Sequence, residues 1–579
     1  MKSNKFLWLV SLLIIASMVL AACSTPTATT APAAPTATTA PAAAGPTATT
    51  AAQAPTATTA PAAAGPTATA APAAGSNVLV GAFDVGPMGS WNSIPYYTSA
   101  GWDWLMKIYT PLVSMNDTYT DLQPQLAVSW TPNADYTQWT FKLRDGVKWQ
   151  DGQPFTADDV KFTFELTANP AAGTSYSIAT NEANLKGLSD FLKGNATSIS
   201  GIVVVDPTTI QFNLDKSDPR MPYNLWDLFI LPQHLLKDVK PADLKGSTWW
   251  RTNPVGTGPF KWSKYVKDQY IELVPNEYYW NGKPLLDKLV NRYFADQSSA
   301  TIALESGDIQ FSYVTPDTLS QFSDKSKFQT FGAPSYVTNM FAMNYRIPAW
   351  TDVRVRQAFL YAIDRAAIVK DVTKGTAVVA PCYDPFPQYW PADANPYAYD
   401  PAKAKELLKA AGFDTSQKIE VPTYYTDQFN KDTLAAVQSY LAAVGINIEF
   451  QFMDPAAWRK IVENTNPTYQ LAYRGAGQQI AFMDTQYLFS NGRPTWTKGS
   501  YYGWNDPKLD GLLNAMLTAK PEDYKAARTA VCEYMNQNAT LGFMWVANRY
   551  GVASASVKNF SYYPAAATIE DHSEKWTLK

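Results

Sequence analysis

The sequence predicts a mixed α/β fold of more than one layer, with hairpins before residue 170 and parallel units after residue 350. Three observations carry that prediction. Trp139 to Leu143 alternates apolar and polar residues as a half-buried strand does, and the turn-forming Arg144-Asp145-Gly146 follows it. Residues 419–452 read strand, helix, strand, and a unit of that kind favours a parallel pair. Asp400-Pro401 and Asn505-Asp506-Pro507 each open an apolar helical face, and Gly412 closes the first of them. The chain has 579 residues, 46% of them hydrophobic. At roughly 100–200 residues per domain that leaves room for two to four domains.

In chain order, Lys2 and Lys5 precede an apolar run from Phe6 to Ala16, and Leu20-Ala21-Ala22-Cys23 supplies the small residues of a cleavage site. Residues 1–22 are therefore read as an export signal, the run being short for a membrane span. From Ser24 to Ser76 the chain holds only Ala, Thr, Pro, Gly, Ser and Gln53. Such a stretch cannot bury a core and is predicted to be disordered. Near-identical PTAT blocks begin at prolines 26, 35, 46, 55 and 66, which marks a duplicated spacer. Its reach is roughly 40 Å as a coil and up to about 160 Å as extended polyproline II.

Val78 to Phe83 reads as a strand, a loop follows through Gly86, Pro87 and Gly89, and a helix follows in the aromatic cluster of Trp91, Trp102, Trp104 and Tyr109. After the turn at Gly146, Val147-Lys148-Trp149 is expected to return as a second short strand to an Asp151-Gly152 turn. Thr156 with Asp159 then opens a helix through a capping box. The later elements are a helix with Ala404, Leu407, Leu408 and Ala411 on one face, a strand Ile419 to Tyr425, a helix Leu434 to Val444 and a strand Ile446 to Phe452. A last helix presents Leu509, Leu512, Leu513 and Met516. Past residue 76 no apolar run approaches 18 residues, so the body is expected to be soluble with only its end anchored.

Composition removes several functions. Lys+Arg 47 against Asp+Glu 50 gives a formal charge of −3, which argues against nucleic-acid binding. Two His and three Cys leave no His-rich zinc site or zinc ribbon, so no metal and no cofactor are expected. Without a G-x-S-x-G string, and with so little imidazole, serine hydrolysis is disfavoured. The enzyme class kept as the alternative is a secreted, membrane-anchored glycoside hydrolase with two carboxylates about 5–10 Å apart. Fifty acidic residues make some such pair unavoidable, so the pair itself carries no signal.

Several strings then match a known family in order. IYTPLV stands at 108–113, LAVSW at 126–130, WTFKLRDGVKWQDGQPFTADDVKFTF at 139–164 and LPQHLL at 231–236. PVGTGPFKW at 254–262, NEYYWNGKPLLDKL at 276–289 and ALESGDI at 303–309 follow, then DVRVRQAFLYAIDRAAIV at 352–369, YDPAKAKELLKAAG at 399–412 and LAAVGINIEF at 441–450. In these the chain resembles the extracellular solute-binding proteins of family 5, the oligopeptide-, dipeptide- and nickel-binding class that serves ABC importers. The resemblance implies a two-lobed periplasmic-binding-protein type II (Venus-flytrap) fold with an extra subdomain. By analogy, residues 77–120, 250–337 and 541–579 form lobe I, 121–249 the inserted subdomain and 338–540 lobe II, with hinge crossings near 337 and 540. It implies capture of an oligopeptide or oligosaccharide by a monomer, delivery to ABC permease subunits, and no catalytic residue. LAAC resembles a lipobox, which implies that Cys23 is lipidated and that residues 23–76 tether the body to the extracytoplasmic face of the membrane, in a periplasm or at a cell surface.

Peptide-binding members of that family anchor the ligand's amino group on an Asp in a motif like W-x-x-D-Y. The matching stretch here, Tyr473 to Gln479, has no carboxylate before Asp484. Gln478 and Gln479 offer mixed donors and acceptors suited to neutral hydroxyls, while a desolvated ammonium needs a carboxylate such as Asp484. Trp91, Trp102, Tyr336, Tyr383, Tyr389, Trp390, Trp496 and Trp504 sit in expected loops and are the aromatic candidates for stacking on sugar rings or peptide side chains. Any one of them is more often a core or hinge-packing residue than a ligand contact. With only His234 and His572, nickel and haem are disfavoured, and Cys382 and Cys532 either pair or stay as buried thiols.

Overall fold

The computed structural model describes residues 77–83, 102–116, 120–173, 184–226, 228–267, 269–462, 467–476, 502–561 and 572–578. All belong to one compact unit, residues 68–579. The export signal, Cys23 and the spacer lie outside the described residues.

A nine-stranded sheet forms the frame. Its order is Leu471–Ala476, Phe328–Met343, Gly542–Ser554, Phe311–Val314, Val78–Ala82, Lys288–Arg292, Tyr270–Pro275 and Phe260–Val266, with Ala377–Val379 joined to Gly542–Ser554 off this path. Val78–Ala82 runs parallel to both its neighbours, with Leu79 opposite Leu289 and Gly81 opposite Phe311. Parallel pairing thus reaches much earlier than residue 350. The partners are more than 200 residues apart, beyond what local pattern reveals.

A separate antiparallel sheet has the order Ala127–Pro132, Gln138–Leu143, Thr209–Asn213, Ile202–Asp206. Gln138–Leu143 alternates as expected, burying Trp139, Phe141 and Leu143. Phe141 and the helical Phe164 both meet Phe212, at 5.4 and 4.7 Å between ring centroids. Each fully buried ring of this kind contributes about 1.5–3 kcal/mol. Val147–Trp149 does not pair back on Gln138–Leu143, whose two edges are taken by Ala127–Pro132 and Thr209–Asn213. It folds on itself instead, with Lys148 bridging Pro154 and Trp149 N donating to Gln153 O at 2.8 Å.

The helix signals are realised close to where they were read. Ala157–Ala168 begins after Thr156, whose N–H donates to Asp159 Oδ2 at 2.9 Å. Asp159 also accepts from Gln233 N at 2.9 Å and from Trp149 Nε1 at 3.4 Å, so one carboxylate fastens the helix start to both neighbouring strings. Pro401–Ala411 is capped by Asp400, which accepts from Lys403 N, and Gly412 at φ +67° ends it. Lys418–Thr423 and Asn447–Phe452 pair in parallel around the helix Gln428–Ala442. Pro507–Leu517 is capped by Asp506 and buries Leu509, Leu513 and Met516. Among the described residues no helix is long and apolar enough to cross a membrane.

Candidate functional site

Two long strands run through the nine-stranded sheet and join its halves. Phe328–Met343 lies antiparallel to Gly542–Ser554, first as Phe328 to Pro334 opposite Ser554 to Asn548, then as Thr338 opposite Val546. Between these stretches Ser335, Tyr336 and Val337 stand against Ala547 alone. Tyr336 takes φ +53°, a left-handed conformation that a bulky side chain adopts only where surrounding contacts impose it. Ala547 to Tyr550 are half-buried while Val546 and Gly551 on either side are buried, so the ribbon is more open at the register slip. Arg549 adds a cation there, its guanidinium 3.6 Å from the centre of the Tyr313 ring.

The slip is braced by the loop that follows Ala377–Val379. Thr338 Oγ1 donates to Tyr383 O at 2.9 Å, and Phe386 stacks on Tyr336 with 4.7 Å between centroids and 18° between planes. The same loop is tied to the helix Pro521–Gln537 three times over. A disulfide joins Cys382 to Cys532. Asn536 Nδ2 donates to Pro381 O at 2.9 Å. Arg528 forms a two-point ion pair with Asp384, through Nε to Oδ2 and through Nη2 to Oδ1 at 2.9 Å, with side chains only 4% and 9% exposed. Its guanidinium lies 4.0 Å from the Tyr389 ring centre and 4.8 Å from that of Phe386. Burial alone would lower the Arg528 pKa, but Asp384 holds it above its ordinary value.

On the other flank, Leu471–Ala476 pairs with the second half of Phe328–Met343, Ala476 facing Thr338. Gly475 is a point of close approach: a Cβ there would fall 2.3 Å from the Tyr425 hydroxyl and 2.6 Å from Val337 of the slip. The Tyr424 hydroxyl accepts from Gly475 N at 3.2 Å, and Arg474 lies over Trp458 at 5.4 Å. Burial pushes the Tyr425 and Tyr473 phenols well up, so both stay neutral.

The structure brings four of the sequence-derived candidates together. Tyr336, Tyr383, Tyr389 and Trp390 all belong to the slip or its bracing loop, and Trp390 Nε1 donates to Asp384 O at 2.7 Å. Tyr383 is 1% exposed, while Tyr336, Tyr389 and Trp390 are half-buried. Trp504 is 6% exposed and meets Tyr345 edge-on at 4.3 Å, away from this loop in sequence. Trp102 opens the helix Trp102–Ile108, and its side chain lies outside the described residues, as do Trp91, Gln478, Gln479, Asp484 and Trp496. His234 contacts Asp151 at 2.8 Å and His572 contacts Glu574 at 3.4 Å. Sequence reasoning missed Asp384 and Arg528. One signal was available: Arg528 shares a helical face with Tyr524, Val531 and Cys532, and a charge on an apolar face asks for a buried partner.

A model of bacterial extracellular solute-binding proteins, family 5, matches residues 121–496. The chain belongs to that family. It is 37% identical over 518 residues to a Brucella melitensis protein assigned as an ABC transporter peptide-binding protein, covering 88% of this chain and 95% of that one. It is 27% identical over 534 residues to the oligopeptide-binding protein AppA of Bacillus subtilis, covering 88% and 92%. Among solved structures, that AppA in complex with a nonapeptide superposes with a TM-score of 0.73 at 24% identity, over 87% of this chain and all of that one. The lactococcal OppA in its closed, peptide-bound form gives 0.74 at 22% identity, over 84% and 98%. At these identities the structural likenesses establish the fold alone, a type II periplasmic binding protein. A family 5 protein acts outside the cytoplasm, and the two long strands are then the connection between the halves of its sheet.

Proposed function

We propose that this chain is the solute-capturing component of an ABC importer, and that its solute is an oligopeptide. The observation that carries this reading is the 37% identity, along 88% of the chain, to a protein assigned as an ABC transporter peptide-binding protein. In the division we propose, lobe I comprises 77–120, 250–337 and 541–579, the subdomain 121–249 and lobe II 338–540, with the hinge at the register slip around Tyr336. Solute would enter over the open ribbon and stabilise the closed form by its differential affinity, the shape a permease reads. Release of the leader before Cys23 and lipidation of its thiol would leave the body on the long spacer at the membrane's outer face. Neither the family nor its relatives support the glycoside-hydrolase alternative.

The ammonium anchor is the sharpest part of the reading. With no carboxylate between Tyr473 and Gln479, Asp484 is the first group to assign to a peptide's amino terminus. A thermal-shift series with di- to hexapeptides and with cello-, xylo-, malto- and manno-oligosaccharides tests this. A ligand at 100 times its Kd adds about 2.7 kcal/mol, a clear rise in melting temperature. Peptides are expected to give the rise, and Asp484→Asn to abolish it. A rise with oligosaccharides alone would replace the peptide reading by one in which Gln478, Gln479 and the aromatic side chains hold a neutral ligand.

A further inference from the structure

Arg220 carries a ring contact between the proposed subdomain and lobe II. Arg220 precedes the short turn Met221–Leu225 and is 9% exposed. Its guanidinium lies 4.1 Å from the centre of the Tyr223 ring, in its own turn, and 3.8 Å from the centre of the Tyr524 ring, on the helix Pro521–Gln537. The Tyr524 hydroxyl accepts from Arg528 Nη1 at 3.3 Å, Arg528 is paired with Asp384, and Phe386 of that loop stacks on Tyr336 at the slip. Contacts therefore run without a break from the turn at 221–225 to the point where the long strands change register. Tyr524, Arg528, Asp384 and Phe386 sit on a helix and loop already stapled by Cys382–Cys532, so they move as one piece. Tyr223 travels with Arg220. Arg220 and Tyr524 meet across the boundary between the two pieces, beside the apolar contacts that Met221, Leu225 and Trp226 share with the same core.

We propose that Arg220 is a positioning residue for solute retention: seated on Tyr524, it clasps the subdomain to lobe II and slows release without touching the solute. This rests on the capture reading and on the lobe division given above. Rigid-body opening would separate the guanidinium from the ring as a whole. A desolvated cation over an aromatic ring shifts such an equilibrium by about tenfold.

The test uses Arg220→Ala, Tyr524→Leu and Tyr524→Phe, the last keeping the ring. With a tryptic digest of casein as probe and tryptophan fluorescence as signal, the first two variants release bound peptide about tenfold faster at unchanged association rate, and Tyr524→Phe behaves as wild type. Solute-free X-ray scattering gives the same order: larger radii of gyration for Arg220→Ala and Tyr524→Leu, the wild-type radius for Tyr524→Phe. Equal radii for all four proteins, or a Tyr524→Phe variant indistinguishable from Tyr524→Leu, would overturn the clasp. Failure of the wild type to bind the digest would instead sink the peptide reading, and the solute-free radii would still decide the clasp. Should Arg220→Ala not fold, the two Tyr524 variants carry the comparison.

Discussion

The start of the helix Ala157–Ala168 and the loop at Ala380–Pro391 are each organised around a buried carboxylate, yet they are built on opposite plans. Asp159 is satisfied by neutral donors, two of them, Thr156 N and Trp149 Nε1, within ten residues of it. Asp384 takes one local bond, from Phe386 N at 2.9 Å, but its charge is met by a guanidinium 144 residues away, next to a disulfide that spans 150. Two of the three donors to the first are in place as soon as its own segment folds, and only Gln233 arrives from elsewhere. The second exists only after two distant segments have docked, and it is the one that braces the crossing strands. The piece beside the proposed hinge is thus held by long-range bonds rather than by local propensity.

The largest effect should come from breaking the ion pair. Arg528→Ala leaves the Asp384 carboxylate buried without its cation, and removal of one partner from such a pair costs about 3–5 kcal/mol. Both side chains are almost wholly buried, so solvent screening does not reduce this. Replacing both at once, Asp384→Leu with Arg528→Met, should cost less than Arg528→Ala alone, because no charge is stranded. Urea midpoints for the single and double variants measure it. A double variant as unstable as Arg528→Ala would show that the pair is packing rather than charge.

Next in size is the disulfide. Cys382→Ser with Cys532→Ser should cost about 2–5 kcal/mol, since the bond closes a long loop in the unfolded chain. The contrast with the Asp159 region sharpens if proteolysis follows the same samples. Cutting should appear first between Ala380 and Pro391, while the segment around Ala157–Ala168 stays protected. Simultaneous cutting of both would mean that the two regions unfold as one unit.

What could be read in the sequence divides along the same line. Pro401–Ala411 was legible because Asp400, Pro401 and Gly412 act on their own neighbours, and the Thr156 with Asp159 pairing was legible for the same reason. The strings at 126–164 and 254–309 pointed to the family, and with it to the two-lobed fold. The register slip was not legible: nothing beside Tyr336 in sequence announces a positive φ, which is imposed by Ala547 across the ribbon and by Phe386 beneath the ring. Nor was the pairing of Cys382 with Cys532, which depends on how a loop and a distant helix dock. Val147–Trp149 misled because its alternation fits a strand, while Gln138–Leu143 had both edges occupied. Tyr389 and Trp390 were singled out by residue type. The arginine that organises them was not, since its partner is far off in sequence.

The smallest effect to measure is the pH response of the locally held carboxylate, Asp159. Burial raises the Asp159 pKa above its ordinary 3.8, outweighing the lowering by its hydrogen bonds from Thr156, Gln233 and Trp149. A raised carboxylate takes up its proton in the folded state before it does so in the unfolded chain. Its contribution to stability therefore grows as pH falls through the folded value toward 3.8 and is complete below that, and ionisation at neutral pH is a cost. Asp159→Asn removes this titration. Wild type should gain stability relative to Asp159→Asn as pH is lowered from about 7 to about 4, followed as urea midpoints at each pH. A relative loss over that window would mean that the three donors, rather than burial, set the proton affinity of Asp159.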